Sequence, residues 1–404
     1  MKENNLFGRI LILSSSALIL GSLLSISAYA QKIETVDGVR VVHNKKGGEW
    51  GAHPKISINL IRTIGDINTT DENLAFNGPG DIALDESGDI YILDSRNHRI
   101  QKFGPDGKYL ATFGRKGQGP AEFNYPQSLE LDPKGMVFVL DGYQQRIQIL
   151  TPEGKEHKTI PVIKFRLDKM RLLKSGGLAV KGYADLRSVY QGKEKHLPNL
   201  VKVLDLEGNV LKEFGEMRDF GDEMTSSMAN LFQFEPDSQD NLFLTFIFQN
   251  RIEKYSPEGR LLWRADRELN FPARVLEKGK VESTRGSISY EAPKMNACSS
   301  AIAADEKGRV WVATLNRQIK KEEEVYTMMA GGRDGIVKIE TKGNVDLQTT
   351  DMYKLEIFSP EGVFLGEIPL TQFVDDMFIW KDRLFLLDRE RGAKFYEYQI
   401  IEEP

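Results

Sequence analysis

The chain has 404 residues, with 54 Lys and Arg against 59 Asp and Glu, and one cysteine, Cys298. A net charge of −5 made of both signs gives no electrostatic reason to expect nucleic acid or an anionic membrane as partner. A single cysteine excludes a disulfide framework, so stability has to come from the core, where Cys298 itself reads as a small buried residue.

Residues 1–30 stand apart. Lys2 and Arg9 precede an apolar run from Ile10 into Ile26, which ends in Ala28-Tyr29-Ala30. That is the layout of a cleavable secretory signal. The run is almost long enough for a membrane anchor, but its serines and its Ala-x-Ala ending favour cleavage after Ala30. Losing Lys2 and Arg9 against Glu3 removes a net +1 and takes −5 to −6. The protein is therefore expected to be exported, periplasmic or extracellular, without membrane insertion after cleavage, and monomeric. Residues 31–55 are polar and Gly-rich without sustained periodicity, and read as a flexible leader.

The stretch from Gly78 to Leu110 alternates apolar and polar residues in short runs closed by Gly- or Asp-rich turns. It reads as a four-stranded antiparallel unit of about 40 residues, the size of a propeller blade. One such sheet has two faces to cover and two open edges, so it should be repeated.

Two families of turn count the repeats. The first comprises Asp85-Glu86-Ser87-Gly88, Asp132-Pro133-Lys134-Gly135, Lys174-Ser175-Gly176-Gly177, Asp237-Ser238-Gln239-Asp240, Asp305-Glu306-Lys307-Gly308 and a worn Trp380-Lys381-Asp382. The second comprises Pro105-Asp106-Gly107, Pro152-Glu153-Gly154, Leu206-Glu207-Gly208, Pro257-Glu258-Gly259 and Pro360-Glu361-Gly362. Six turns of one kind and five of the other leave the last unit one strand short. The lone strand from Ile56 to Gly65 supplies it, so that the N-terminal strand closes a ring. Residues 56–404 are accordingly expected to form an all-β, six-bladed β-propeller of four-stranded antiparallel blades.

The two turn families lie at one end of every blade. The long insertions, near 182–199, 267–297 and 315–352, fall at the other, called the upper face here. Loops of that length in a compact domain are usually functional or disordered, which points to a built-up binding surface.

Gly117-Gln118-Gly119-Pro120-Ala121-Glu122-Phe123-Asn124-Tyr125-Pro126, with Val137-Phe138-Val139-Leu140-Asp141 and Arg146-Ile147-Gln148-Ile149-Leu150, resembles the NHL repeat. So does the opening unit, through Asp94, Asn97, Arg99-Ile100-Gln101 and Phe103. The resemblance implies a six-bladed propeller and leaves the activity open, since propellers host binding, docking and several chemistries. Relatives include exported scaffold proteins, RNA- or protein-binding modules, and a lyase with metal-bound histidines. The similar lactonase-type propellers hold calcium with carboxylates and an Asn.

Asp94, Asn97, Arg99 and Asp141 are expected to brace the upper hairpin mouths, with a ring of arginines as the functional alternative. Blade four has Phe246 in the Asp position, so Arg251, unpaired beside Gln249 and Asn250, is a ligand candidate together with Arg146. Tyr125, Tyr143 and Tyr183 could offer stacking surfaces. A histidine-held metal is disfavoured, because only His98 and His196 could share the upper face. A calcium site is harder to exclude: Asp375-Asp376 and Glu235 fall near innermost strands, and a buried Glu235 could have a raised pKa. No Ser-His-Asp spacing, phosphate-cradling loop or HExxH run is present, and no catalytic residue is assigned. The leading expectation is an exported binding propeller that captures a protein, peptide or glycan on its upper face. The alternative is a calcium-dependent lactonase-like hydrolase with its site in the central upper channel.

Overall fold

The computed structural model describes residues 31–163, 166–182, 199–284, 287–331 and 337–403. Residues 1–30 and most of the blade-three insertion, including Tyr183, lie outside the described residues. Six antiparallel blades follow one another. Blade one runs from Pro79–Leu84 to Tyr109–Phe113, blade two from Ser128–Leu131 to Glu156–Pro161, and blade three from Leu167–Leu172 to Val210–Glu216. Blade four spans Phe232–Pro236 to Leu261–Arg267, and blade five Ser299–Ala304 to Phe364–Pro369. Blade six is built from Asp376–Trp380, Arg383–Asp388 and Lys394–Glu402, and its fourth strand is Ile56–Ile64. The closing strand pairs antiparallel along its whole length, from Ile56 opposite Glu402 to Ile64 opposite Phe395. The counted topology is thus realised.

The turns act as their sequences require. Asp85 Oδ1 accepts the backbone N–H groups of Ser87 and Asp89 at 3.0 Å each, and Gly88 takes φ +84°. In the worn sixth turn Lys381 accepts a left-handed φ of 55° in place of a glycine.

The apolar core is divided into six wedges, one between each pair of neighbouring blades. Ile82, Ile92 and Phe103 of blade one pack on Phe385 and Phe395 of blade six, so ring closure is hydrophobic as well as hydrogen-bonded. Both faces of most blades are covered in this way, which is why middle strands such as Ile90–Asp94 and Leu242–Phe246 are buried at every position.

The leader departs from expectation. Lys32–Val36 and Val39–Asn44 form a hairpin, and the second strand runs parallel to the outer strand of blade four, extending that sheet to six strands. Asn44 then staples blades four and five: its Nδ2 donates to the carbonyls of Asp266 and Gly362 at 3.0 Å, and its Oδ1 accepts Phe364 N–H at 2.8 Å. Trp50 N–H donates to Leu365 O at 2.8 Å before the chain enters blade six. The first strand of this segment is mostly exposed; the order of the segment comes from backbone pairing with an edge that the ring already supplies and from Val42, which is buried in the wedge between blades four and five.

Two insertions are folded over the upper face. Residues 267–297 form two small antiparallel pairs, and Val325–Gly331 pairs with Val337–Gly343. A satellite apolar cluster of Leu315, Met352 and Phe373, with Phe271, Ala297 and Leu347 against it, fixes their bases. Among the described residues no helix is long and apolar enough to cross a membrane.

Candidate functional site

The innermost strands carry charge where the wedges carry hydrocarbon. Arg171, 2% exposed, reaches Asp81 of blade one at 3.1 Å, Glu130 of blade two at 3.1 Å and Glu235 of blade four at 2.8 Å. Asp81 also accepts from Ser128 Oγ at 2.8 Å and Leu129 N–H at 3.1 Å. Lys169 of blade three holds Asp376 of blade six at 2.9 Å. Five blades are thereby tied across the axis by ion pairs in which two cations face four carboxylates. Burial pushes the Glu130 carboxyl up to about 8 despite the opposing Arg171, and burial likewise raises Glu235.

Above this network the upper end of the axis opens into a cavity of about 190 Å³. Asp168, Lys169, Lys181, Gln233, Asp376 and Arg389 line it, with Ser95 and Tyr125 at the blade-one and blade-two side. Lys181 Nζ donates to Phe232 O at 2.6 Å and to Gln233 Oε1 at 3.1 Å, and lies 3.8 Å from Asp168 Oδ2. Burial pushes its amine below the usual lysine value, with Asp168 opposing. Ser95 Oγ and Asp168 Oδ1 are buried without a hydrogen-bond partner, an expensive condition unless something else fills it. Ser95 is 3% exposed and its hydroxyl occupies the space that a Cβ on Gly80 would take, so Gly80 makes room for it.

The structure brings Tyr125 and Tyr143 together. Their rings meet edge to face with centroids 5.4 Å apart, and Tyr143 is 49% exposed. Tyr125 adopts φ +62°, held by its N–H donating to His98 Nδ1 at 2.9 Å. A bulky residue held in that region is the kind of stored strain that accompanies ligand clamps.

The other expected ligand residues are engaged elsewhere. Arg146 gives its guanidinium to the carbonyls of Gln118 at 2.9 Å and Glu122 at 2.8 Å, with Asp141 at 3.5 Å. Gln249 donates to Ala229 O at 2.8 Å, and Asn250 exchanges hydrogen bonds with the backbone of Arg267 at 2.6 and 3.2 Å. Arg251 was expected to be unpaired. It is 1% exposed, stacked 3.5 Å from the Phe246 ring centroid, 3.4 Å from Glu253 and bonded to Glu216 O at 3.2 Å. Burial beside Arg218 pushes its guanidinium down to about 10 despite Glu253. The aromatic ring that replaced the aspartate did not free the arginine; it gave it a different support.

At the blade-one hairpin mouth, Asp94 accepts from Asn97 Nδ2 and Arg99 Nε at 2.8 Å each, and from Asn77 N–H at 2.8 Å. Sequence reasoning missed Asp168, Lys169, Arg171 and Lys181. The available signal was Leu167-Asp168-Lys169-Met170-Arg171-Leu172, an innermost strand with three charged residues.

Among the described residues no group of three His, Cys, Asp or Glu could hold a metal ion. The three carboxylates that do converge already close on the Arg171 guanidinium, and do not fit a calcium ion as they stand.

This geometry is that of a six-bladed β-propeller with a polar site at its upper axis. Residues 76–103, most of blade one, match the NHL repeat. A comparison with curated proteins gives no match. Among solved structures, the chain is similar to a member of the DUF4221 family from Bacteroides vulgatus, at 9% identity over 86% of this chain and 99% of that one, with a TM-score of 0.51. It is also similar to a presumed exported protein from Bacteroides fragilis, at 12% identity over 90% of this chain and 100% of that one, with a TM-score of 0.51. At these identities the likeness shows the fold.

Proposed function

We propose that the protein is an exported binding propeller that captures a ligand on its upper face and seats a polar group of it in the cavity at the axis. The observation that carries this reading is the pair of unspent buried atoms, Ser95 Oγ and Asp168 Oδ1, in one cavity beside the Tyr125–Tyr143 corner. The insertions support it. Thr341, at the end of the blade-five hairpin, donates to Glu390 at 3.1 Å and accepts from Arg96 at 3.4 Å, next in sequence to the lining residues Arg389 and Ser95. The layout of residues 1–30 supports export.

The hydrolase alternative would need hard oxygen ligands free for calcium, and Arg171 occupies the carboxylates best placed to serve. No metal-dependent step is derived.

Capture is tested by calorimetry against glycans, peptides and candidate exported proteins. Tyr143→Ala is expected to weaken binding at least tenfold with the melting temperature unchanged. Undiminished affinity in that variant would place capture elsewhere.

A further inference from the structure

The cavity's lining is charge-balanced. Lys169, Lys181 and Arg389 stand against Asp81, Asp168 and Asp376. Three of these groups are already clamped, Lys169 and Asp376 to each other at 2.9 Å and Asp81 to Arg171 at 3.1 Å. Arg389 spends Nε and Nη2 on the carbonyls of Pro79 and Gly80 at 3.0 and 3.3 Å. A carboxylate or phosphate entering here meets three carboxylates, and an amine meets three bases. Neither gains enough net attraction to offset its own desolvation.

The unspent capacity is of mixed sense. Asp168 Oδ1 accepts only, whereas Ser95 Oγ both donates and accepts. Lys181 Nζ has satisfied two acceptors and stands 3.8 Å from Asp168 Oδ2, beyond hydrogen-bond length. Two neighbouring hydroxyls close that gap, one donating to Asp168 and the other accepting from Lys181. The Tyr125–Tyr143 corner, with Tyr143 49% exposed, offers an apolar edge for the C–H face of a ring that carries such hydroxyls.

We infer that the cavity binds an uncharged ring bearing vicinal hydroxyls, that is, one sugar residue of a glycan, held by Asp168, Lys181 and Ser95 against Tyr125. This rests on the reading that the upper face captures a ligand, and names the ligand's class.

The test is calorimetric titration of the purified protein with methyl glycosides of glucose, galactose and mannose, with glucuronate and glucosamine as charged counterparts, and with a panel of short peptides. At least one neutral glycoside is expected to bind at least tenfold more tightly than either charged sugar. Ser95→Ala should weaken that glycoside about tenfold, the loss of roughly one hydrogen bond. Asp168→Asn should weaken it similarly while improving glucuronate, because the lining then carries one positive charge in excess; a merely structural Asp168 would weaken both or neither. Tighter binding of glucuronate or glucosamine than of every neutral glycoside overturns the assignment. Tyr143-dependent binding of a peptide with no glycoside bound also overturns it and leaves upper-face capture standing. No binding of any probe, with undiminished capture of a partner by Tyr143→Ala, sinks both.

Discussion

The hairpin mouths and the axial mouth gather the same residue types on the same face and use them differently. At the hairpin mouths each arginine clamps the chain that enters its blade. Arg99 bonds Glu72 O at 2.6 Å, Arg146 bonds Glu122 O at 2.8 Å and Arg251 bonds Glu216 O at 3.2 Å. The support beneath the guanidinium changes, from Asp94 and Asp141 in blades one and two to the Phe246 ring in blade four. Two unlike supports at one position show that the site needs a rigid clamp on the incoming loop, not a charge for a ligand. At the axial mouth the strong pairs lie below, and Ser95 Oγ and Asp168 Oδ1 remain unspent above them. Arg146 Nε and Arg251 Nε at the hairpin mouths also lack a hydrogen-bond partner, so what sets the axial mouth apart is that its unpartnered atoms belong to residues lining one cavity.

The sharpest way to break this contrast is Arg171→Met. It leaves Asp81, Glu130 and Glu235 buried without their shared cation, and is expected to lower unfolding stability by about 3–5 kcal/mol in urea titrations. A variant as stable as the parent would mean that the axial charges are not structural.

Arg251→Ala comes next. Losing the stack on Phe246 and the bond to Glu216 O should lower stability by about 2 kcal/mol, because Arg264 remains on Glu253 at 2.7 Å. Ligand affinity of the folded variant should not change. Lost affinity at parental stability would return Arg251 to the binding surface.

The smallest expected effect is a pH dependence at the join of the two regions. Burial, aided by Lys116, holds the His98 imidazole below its ordinary 6.5 while Nδ1 accepts Tyr125 N–H. Its folded value is depressed, so its contribution is full above 6.5 and is lost as the pH falls through that lower value. His43, on the leader hairpin, has the opposite sign. Hydrogen bonds to Glu34 and Asp266 raise it, so its contribution is full below 6.5 and fades as the pH rises through the raised value. Replacing His98 with Gln should flatten the acid side of the stability profile, and replacing His43 with Gln the neutral side. Identical profiles in both variants would remove these assignments.

Much of the fold was legible because propeller blades are written locally. Asp85-Glu86-Ser87-Gly88 and its counterparts encode a turn within four residues, and the missing sixth-blade strand could be found by counting. The leader was not legible, since Val39–Asn44 is a strand only against the outer edge of blade four, far away in sequence. Tyr125 and Tyr143 were found as exposed-end aromatics, whereas Asp168 and Lys181 lie on one hairpin and acquire meaning only beside Ser95 of blade one.

The sequence by itself determined the number of blades, their four-stranded antiparallel build and the closing strand. All of these follow from backbone periodicity and turn chemistry. Tertiary structure alone decided that Arg171 is the cation of the axis, that Arg251 is a buried clamp and that two polar atoms at the mouth have no partner. Each of those depends on which strands of different blades meet at the centre, and on how much water the ring excludes there.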